Sequence, residues 1–200
     1  MKLTLEKQAF ILKLLDTNQG VLSIAEIKIL LRPKNQQQFY RDIQVLERSR
    51  VLQPFCRGVY VSQQPNLKIV SQRIQPNSYL SLGSALSQHL IIGSVPSKTV
   101  YAIKVGKSRK YQSSFGEIIH LGITPDLFFG FEMKDGICVA NKEKAFLDTL
   151  YYYQKGQKYS FNIFSDFNLK LLDRSLLAKY LRKYRNPKFV SFAKGLMSAD

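Results

Sequence analysis

Apolar residues recur at helical spacing in three successive stretches near the start of the chain, and the third stretch is the most two-sided. Between residues 35 and 49, Phe39, Ile43 and Leu46 share one helical face while Gln37, Arg41, Gln44 and Arg48 share the opposite one. The first stretch, residues 5–16, brings Phe10, Ile11, Leu14 and Leu15 to one broad face, and Asn18 and Gly20 supply a stop. In the second, Ser23-Ile-Ala-Glu26 has the form of a capping box, which opens a helix running to Leu31 before Pro33. After the third, residues 51–55 and 59–61 read as short strands joined across Cys56-Arg-Gly58, with Arg57 at the turn.

Three helices followed by a hairpin with a basic tip predict a winged helix-turn-helix domain over residues 1–62. Arg and Gln carry paired hydrogen-bonding groups that match guanine and adenine edges in the major groove. On this expectation Gln37, Arg41 and Gln44 meet bases, while Gln36, Tyr40 and Arg48 set register on the backbone. Arg57 reaches phosphate or the adjacent minor groove. The plainer alternative is a solvated amphipathic helix, with Tyr60 packed behind it.

Polar, proline-punctuated segments at residues 62–66 and 75–78 mark a linker over 63–78, with residues 67–74 as a strand or extended connector. The second domain, 79–200, begins with an expected helix at 79–89, its Leu82, Ala85, Leu86 and His89 on one face. Strands are expected at 99–105, 117–121, 127–131 and 137–139, with a hairpin turn at Lys134-Asp-Gly136. Helices at 141–153, 173–184 and 187–197 close the chain. The fold class is therefore α+β, a winged helix-turn-helix followed by a mixed domain with a small sheet and C-terminal helices.

Thirty basic side chains against 14 acidic ones give a formal charge of +16, which favours a polyanionic partner. Residues 168–200 are the densest part, with eight basic side chains against two acidic. No apolar run reaches the roughly 20 residues of a membrane helix, and charge interrupts the start of the chain where a signal peptide would need an apolar core. The expected location is the cytoplasm, with no membrane contact. Two cysteines, Cys56 and Cys138, and two histidines, His89 and His120, provide neither a disulfide framework nor a zinc motif. No phosphate-binding glycine loop is present, so no cofactor is expected.

The segment from Tyr79 to His89, then the strands, then Gly130-Phe-Glu132, then residues 137–148 together resemble the AbiEi antitoxin family of type IV toxin–antitoxin, abortive-infection systems. The sharpest element is Val139, Ala140, Glu143, Lys144, Ala145 and Asp148, a Val-Ala-x-x-Glu-Lys-Ala-x-x-Asp pattern; Asn141, Lys142 and Phe146 depart from what is usual there. The resemblance implies a DNA-binding repressor that controls its own operon and counteracts a nucleotidyltransferase-like toxin. Read physically, Asn141 caps a helix, Glu143 sits in its first turn, and Lys144 pairs with Asp148 at i,i+4. A structural role for Glu143, Lys144 and Asp148 is expected rather than catalysis.

Two other readings compete. A solitary winged-helix regulator would use its second domain to bind an effector or a protein. A metal-dependent nuclease would use Asp126, Glu132 and Lys134, whose letters match a PD-(D/E)xK signature. In one continuous strand, however, six steps would separate the two carboxylates by roughly 20 Å, too far to share an ion, and only a sharp bend at Gly130 would bring them together. His89 reads as a packed histidine, Ser84 and Ser87 lack a nucleophile motif, and Phe161, Phe164, Phe167 and the Tyr151–Tyr153 run read mainly as core. Lys179, Arg182, Lys183, Arg185 and Lys188 form a candidate phosphate-binding tail or a solvated helix face. The predicted partner is double-stranded operator DNA with repeated half-sites, no residue is assigned to catalysis, and the oligomeric state is open.

Overall fold

The computed structural model describes residues 5–197 as a mixed α+β chain with eight α-helices and two sheets. It divides into two compact units, one running to Ile74 together with Tyr111–Glu117, the other comprising Gln75–Lys110 and Ile118 onward.

In the first unit, α1 (Leu5–Thr17), α2 (Ile24–Leu31) and α3 (Gln36–Arg48) surround a core of Ile11, Leu15, Leu22, Ile27, Leu31, Phe39, Ile43, Leu46, Val51 and Leu52. Phe10 is the exception to the expected α1 face: it is exposed, while Ile11 and Leu15 are buried. Gln19 and Gly20 take positive φ to end α1, and Asn18 Nδ2 donates to the Leu14 carbonyl. The capping box of α2 is formed in both directions, Ser23 Oγ accepting from the Glu26 N–H and Glu26 accepting from the Ser23 N–H. Strands β1 (Val21–Ser23), β2 (Gln53–Cys56) and β3 (Val59–Val61) form an antiparallel sheet in the order β1-β3-β2. The three residues of β1 are too few to show alternation and were not expected.

Residues 67–74 are a helix, α4 (Leu67–Ile74), and not the extended connector that the linker assignment implied. Their β-branched Ile69, Val70 and Ile74 suggest a strand, but Asn66 Oδ1 accepts from the Lys68 N–H at the helix start and Leu67, Val70 and Ser71 are buried at helical spacing. Arg73 ties this helix to Glu26 of α2.

A six-stranded sheet runs in the order β6-β7-β5-β4-β9-β8 and belongs to the second unit except for Tyr111–Glu117 at the β6–β7 tip. The strands are β4 (Ser78–Leu80), β5 (Thr99–Val105), β6 (Arg109–Ser113), β7 (Gly116–Ile123), β8 (Phe131–Lys134) and β9 (Ile137–Ala140). Residues 78–80 thus lie in a strand where a helix was expected to begin. All three are buried in mid-sheet, so they show no alternation. The helix that follows, α5 (Leu82–Leu86), is short. The expected strand at 127–131 is also corrected. Pro125–Leu127 forms a 3-10 turn, Gly130 takes φ 73°, and the strand begins only at Phe131. Phe128 and Phe131 pack on Tyr79 while Phe129 packs on Tyr180, so these aromatics serve different neighbours and not one strand face.

Helix α6 (Lys142–Gln154) buries nearly its whole circumference against α5, α7 (Arg174–Leu181) and α8 (Pro187–Met197). Tyr152 donates its hydroxyl to the Gly122 carbonyl at 2.7 Å, and Tyr159 donates to the Thr149 carbonyl at 2.9 Å. Burial pushes both phenols far above their ordinary ionisation range. Among the described residues, no helix is long and apolar enough to cross a membrane.

Candidate nucleic-acid interface

Helix α3 starts where Asn35 Oδ1 accepts from the Gln38 N–H, and its inner seam of Phe39, Ile43 and Leu46 is at most 4 % exposed. That seam fixes the helix rotation. Gln36, Gln37, Tyr40, Arg41, Gln44 and Arg48 are consequently all exposed. The two acids of α3 are turned away from that face: Asp42 is buried and Glu47 is half-buried. Arg41 Nε lies 3.4 Å from the Gln37 carbonyl, so its guanidinium is held along the helix surface.

The β2–β3 hairpin turns at Arg57 and Gly58, with Gly58 at φ 81°, a conformation that favours glycine. Arg57 is exposed at its tip. The Gly58 carbonyl accepts from the Ile24 N–H, which joins the hairpin to the start of α2. Tyr60 packs against the core, and burial raises its phenol. Cys56 beside the turn is half-buried, its thiol pushed up by burial.

The motif residues of the second unit form a different kind of site. Asn141 Oδ1 accepts from the Lys144 N–H and so caps α6, and Asn141 Nδ2 donates to the Tyr180 hydroxyl. Lys144 and Asp148 have no solvent exposure and pair at 2.5 Å. Asp148 Oδ2 also accepts from the hydroxyls of Ser81 at 2.8 Å and Tyr79 at 3.1 Å, and Lys144 Nζ donates to the Tyr184 hydroxyl at 3.1 Å. The Lys144 ammonium lies 4.7 Å from the centre of the Phe129 ring. Burial draws the ammonium below its ordinary range and the carboxyl above its own, while each charge partly restores the other. Burial and the Asp148 charge drive the Tyr79 and Tyr184 phenols well above theirs. Glu143, also buried, accepts from the Asp173 N–H at 2.9 Å and so anchors the start of α7. The cluster joins β4, α6 and the segment after α7, and every group in it is occupied by another. Such a set suits cross-linking and leaves no group facing a substrate. Tyr79, Ser81 and Tyr184 had no local signal pointing to it.

Lys179, Arg182, Lys183, Arg185 and Lys188 are all exposed. They do not act as one patch of unengaged charge: Lys183 lies 4.0 Å from the Phe129 ring centre, and Arg185 pairs with Asp126 at 3.3 Å. Asp126 and Glu132 are themselves exposed, on a turn and on β8. Among the described residues no group of three or more His, Cys, Asp or Glu side chains could hold a metal ion. His89, half-buried, has Nε2 2.8 Å from the Ala140 carbonyl, and the Oγ of Ser84, which is buried, accepts from the Tyr101 N–H. Tyr153 and Phe164, expected in a core, are exposed and make edge contact with each other.

Comparison with known proteins adds no assignment: no protein-family profile matches the chain, and no curated protein resembles it in sequence to a significant degree.

Proposed function

We propose that the chain is a sequence-specific repressor that binds double-stranded DNA through a winged helix-turn-helix in its first unit. The observation that carries this reading is the outer face of α3: glutamine and arginine side chains, no exposed acid, and a sealed apolar seam behind. Arg41, Gln37 and Gln44 would meet base edges, with Gln36, Tyr40 and Arg48 on the backbone and Arg57 on phosphate or in the minor groove from the hairpin tip. The net charge of +16 supports a phosphate-rich partner. The AbiEi-like pattern in the second unit supports the role of a type IV antitoxin that represses its own operon and counteracts a nucleotidyltransferase-like toxin. This reading assigns no catalysis to the chain. A second reading, a solitary regulator responding to a small molecule, has only a small pocket of about 90 Å³ to support it, lined by Gly83, Ser84, Val95, Tyr101, Tyr159 and Phe161.

The test is selection of duplexes from a randomised library, followed by binding of Arg41→Ala and Arg57→Ala to selected and scrambled sequences. Arg41→Ala should lose about 1–3 kcal/mol of preference at one base position. Arg57→Ala should weaken all duplexes evenly and lower the salt dependence by about one phosphate contact. Equal effects of the two changes, or no selected sequence at all, would refute the repressor reading. Co-expression with the neighbouring gene then separates antitoxin from solitary regulator.

A further inference from the structure

Strand β8 ends the six-stranded sheet: it pairs with β9 on one side and with no strand on the other among the described residues. Its hairpin turn fixes which backbone groups are left over. Asp135 and Gly136 both take positive φ, 52° and 78°, the signature of a two-residue loop that closes on a hydrogen-bonded pair, here Lys134 with Ile137. Such pairs alternate along an antiparallel ladder. Glu132 and Lys134 therefore direct their N–H and C=O toward β9, and Met133 directs its own toward the open edge. All three side chains are exposed, Met133 at 71 %.

We propose that this edge is a self-association surface, on which a second copy of the chain pairs β8 against β8, antiparallel and centred on Met133. Each Met133 would exchange both backbone hydrogen bonds with its counterpart across the two-fold axis. The same axis puts Glu132 opposite the partner's Lys134, and Lys134 opposite the partner's Glu132. Both opposite-charge pairs fall at non-hydrogen-bonded positions, where facing side chains come closest. The next outward-facing position along the edge is Phe131, and centring the axis there would set Glu132 opposite the partner's Gly130 and Lys134 opposite the partner's Phe128, so the charges favour the register on Met133. An edge strand guarded by a single charge repels other strands. Here the guards have both signs, spaced to neutralise each other in a copy. Four residues make a small contact, so the dimer is weak and reversible. The proposal stands apart from the DNA-binding reading and is tested without DNA.

Sedimentation equilibrium of the whole chain at low salt, over about 10 µM to 1 mM, should show a monomer–dimer equilibrium. Glu132→Lys alone, and Lys134→Glu alone, each replace two opposite-charge pairs by two like-charge pairs and should weaken the dimer about tenfold. The two changes together restore the pairing with signs exchanged and should return the affinity to within about threefold of the unaltered chain. Met133→Pro removes the outward N–H while leaving the β9 ladder intact, and should abolish dimers. Circular dichroism confirms that each variant is folded, and the rescue by the double exchange is a result that a merely structural role would not give. A monomer throughout the range overturns the proposal and leaves the edge to a strand of another protein. A dimer indifferent to either single reversal, or one not rescued by the double exchange, overturns it equally.

Discussion

Taking an ammonium and a carboxylate wholly out of water costs several kcal/mol per ion, and Lys144 and Asp148 endure it because three hydroxyls and an aromatic face surround them. Removing one partner leaves the other charge stranded. Asp148→Ala should therefore destabilise the chain by about 3–5 kcal/mol in urea denaturation, whereas Lys144→Met combined with Asp148→Leu should recover most of that loss. A double variant as unstable as the single one would show that shape, and not charge, governs the site. The i,i+4 spacing of this pair was legible in the sequence. Its hydroxyl partners were not, because Tyr79 and Ser81 lie 69 and 67 residues away and Tyr184 lies 40 residues away; β4 brings in the first two and the packing of α7 on α6 the third. Gly122 gives a second case of a constraint set by distant chain. A Cβ there would sit 1.8 Å from the Gly106 carbonyl oxygen, which is backbone and cannot swing aside. Gly122→Ala should cost about 1–3 kcal/mol and lower the thermal midpoint.

At the level of elements, legibility followed local chemistry. The α2 capping box, the Asn141 cap of α6 and the Asp135-Gly136 turn are all satisfied by residues within a few positions of one another, and each appears where the pattern placed it. Strand β4 and helix α4 were misread for a different reason: the first is buried on both faces and the second is short and β-branched, so neighbours decide their state. Glu26 links two such elements. Desolvation pushes its carboxyl up, but the Ser23 N–H and Arg73 pull it further down, leaving it below its ordinary 4.5. A carboxyl depressed in the folded state contributes stability that is present above its unfolded pKa and fades as pH falls through the folded value. The stability deficit of Glu26→Gln should accordingly be measurable near neutral pH, begin to shrink near 4.5 and vanish once the pH is below the lower folded value. A deficit that persists in acid would trace the effect to packing.

Across the whole molecule, the sequence made the α+β class and the excess of positive charge visible, since neither depends on which residues meet. Where the chain divides was less visible. The polar segments at 62–66 and 75–78 flank a helix that belongs with the first unit, and Tyr111–Glu117 clusters with that unit although it is remote in sequence. Contact across such separations has no local signature. The charge itself predicts that association with any polyanion slows and weakens steeply as salt rises, most clearly seen in stopped-flow mixing at graded ionic strength.

The sealed phenols of Tyr79, Tyr152, Tyr159 and Tyr184 give the protein a built-in optical reporter. The chain has eleven tyrosines and no tryptophan, so its near-ultraviolet absorbance comes chiefly from phenol rings. An ordinary phenol in water turns to phenolate around pH 10. The four shielded rings hold their protons until the interior opens, and the stability they lend below that pH drains away above it. An abrupt rise in phenolate absorbance above that pH, coincident with loss of helical ellipticity, would time the breakdown of that interior with no added dye.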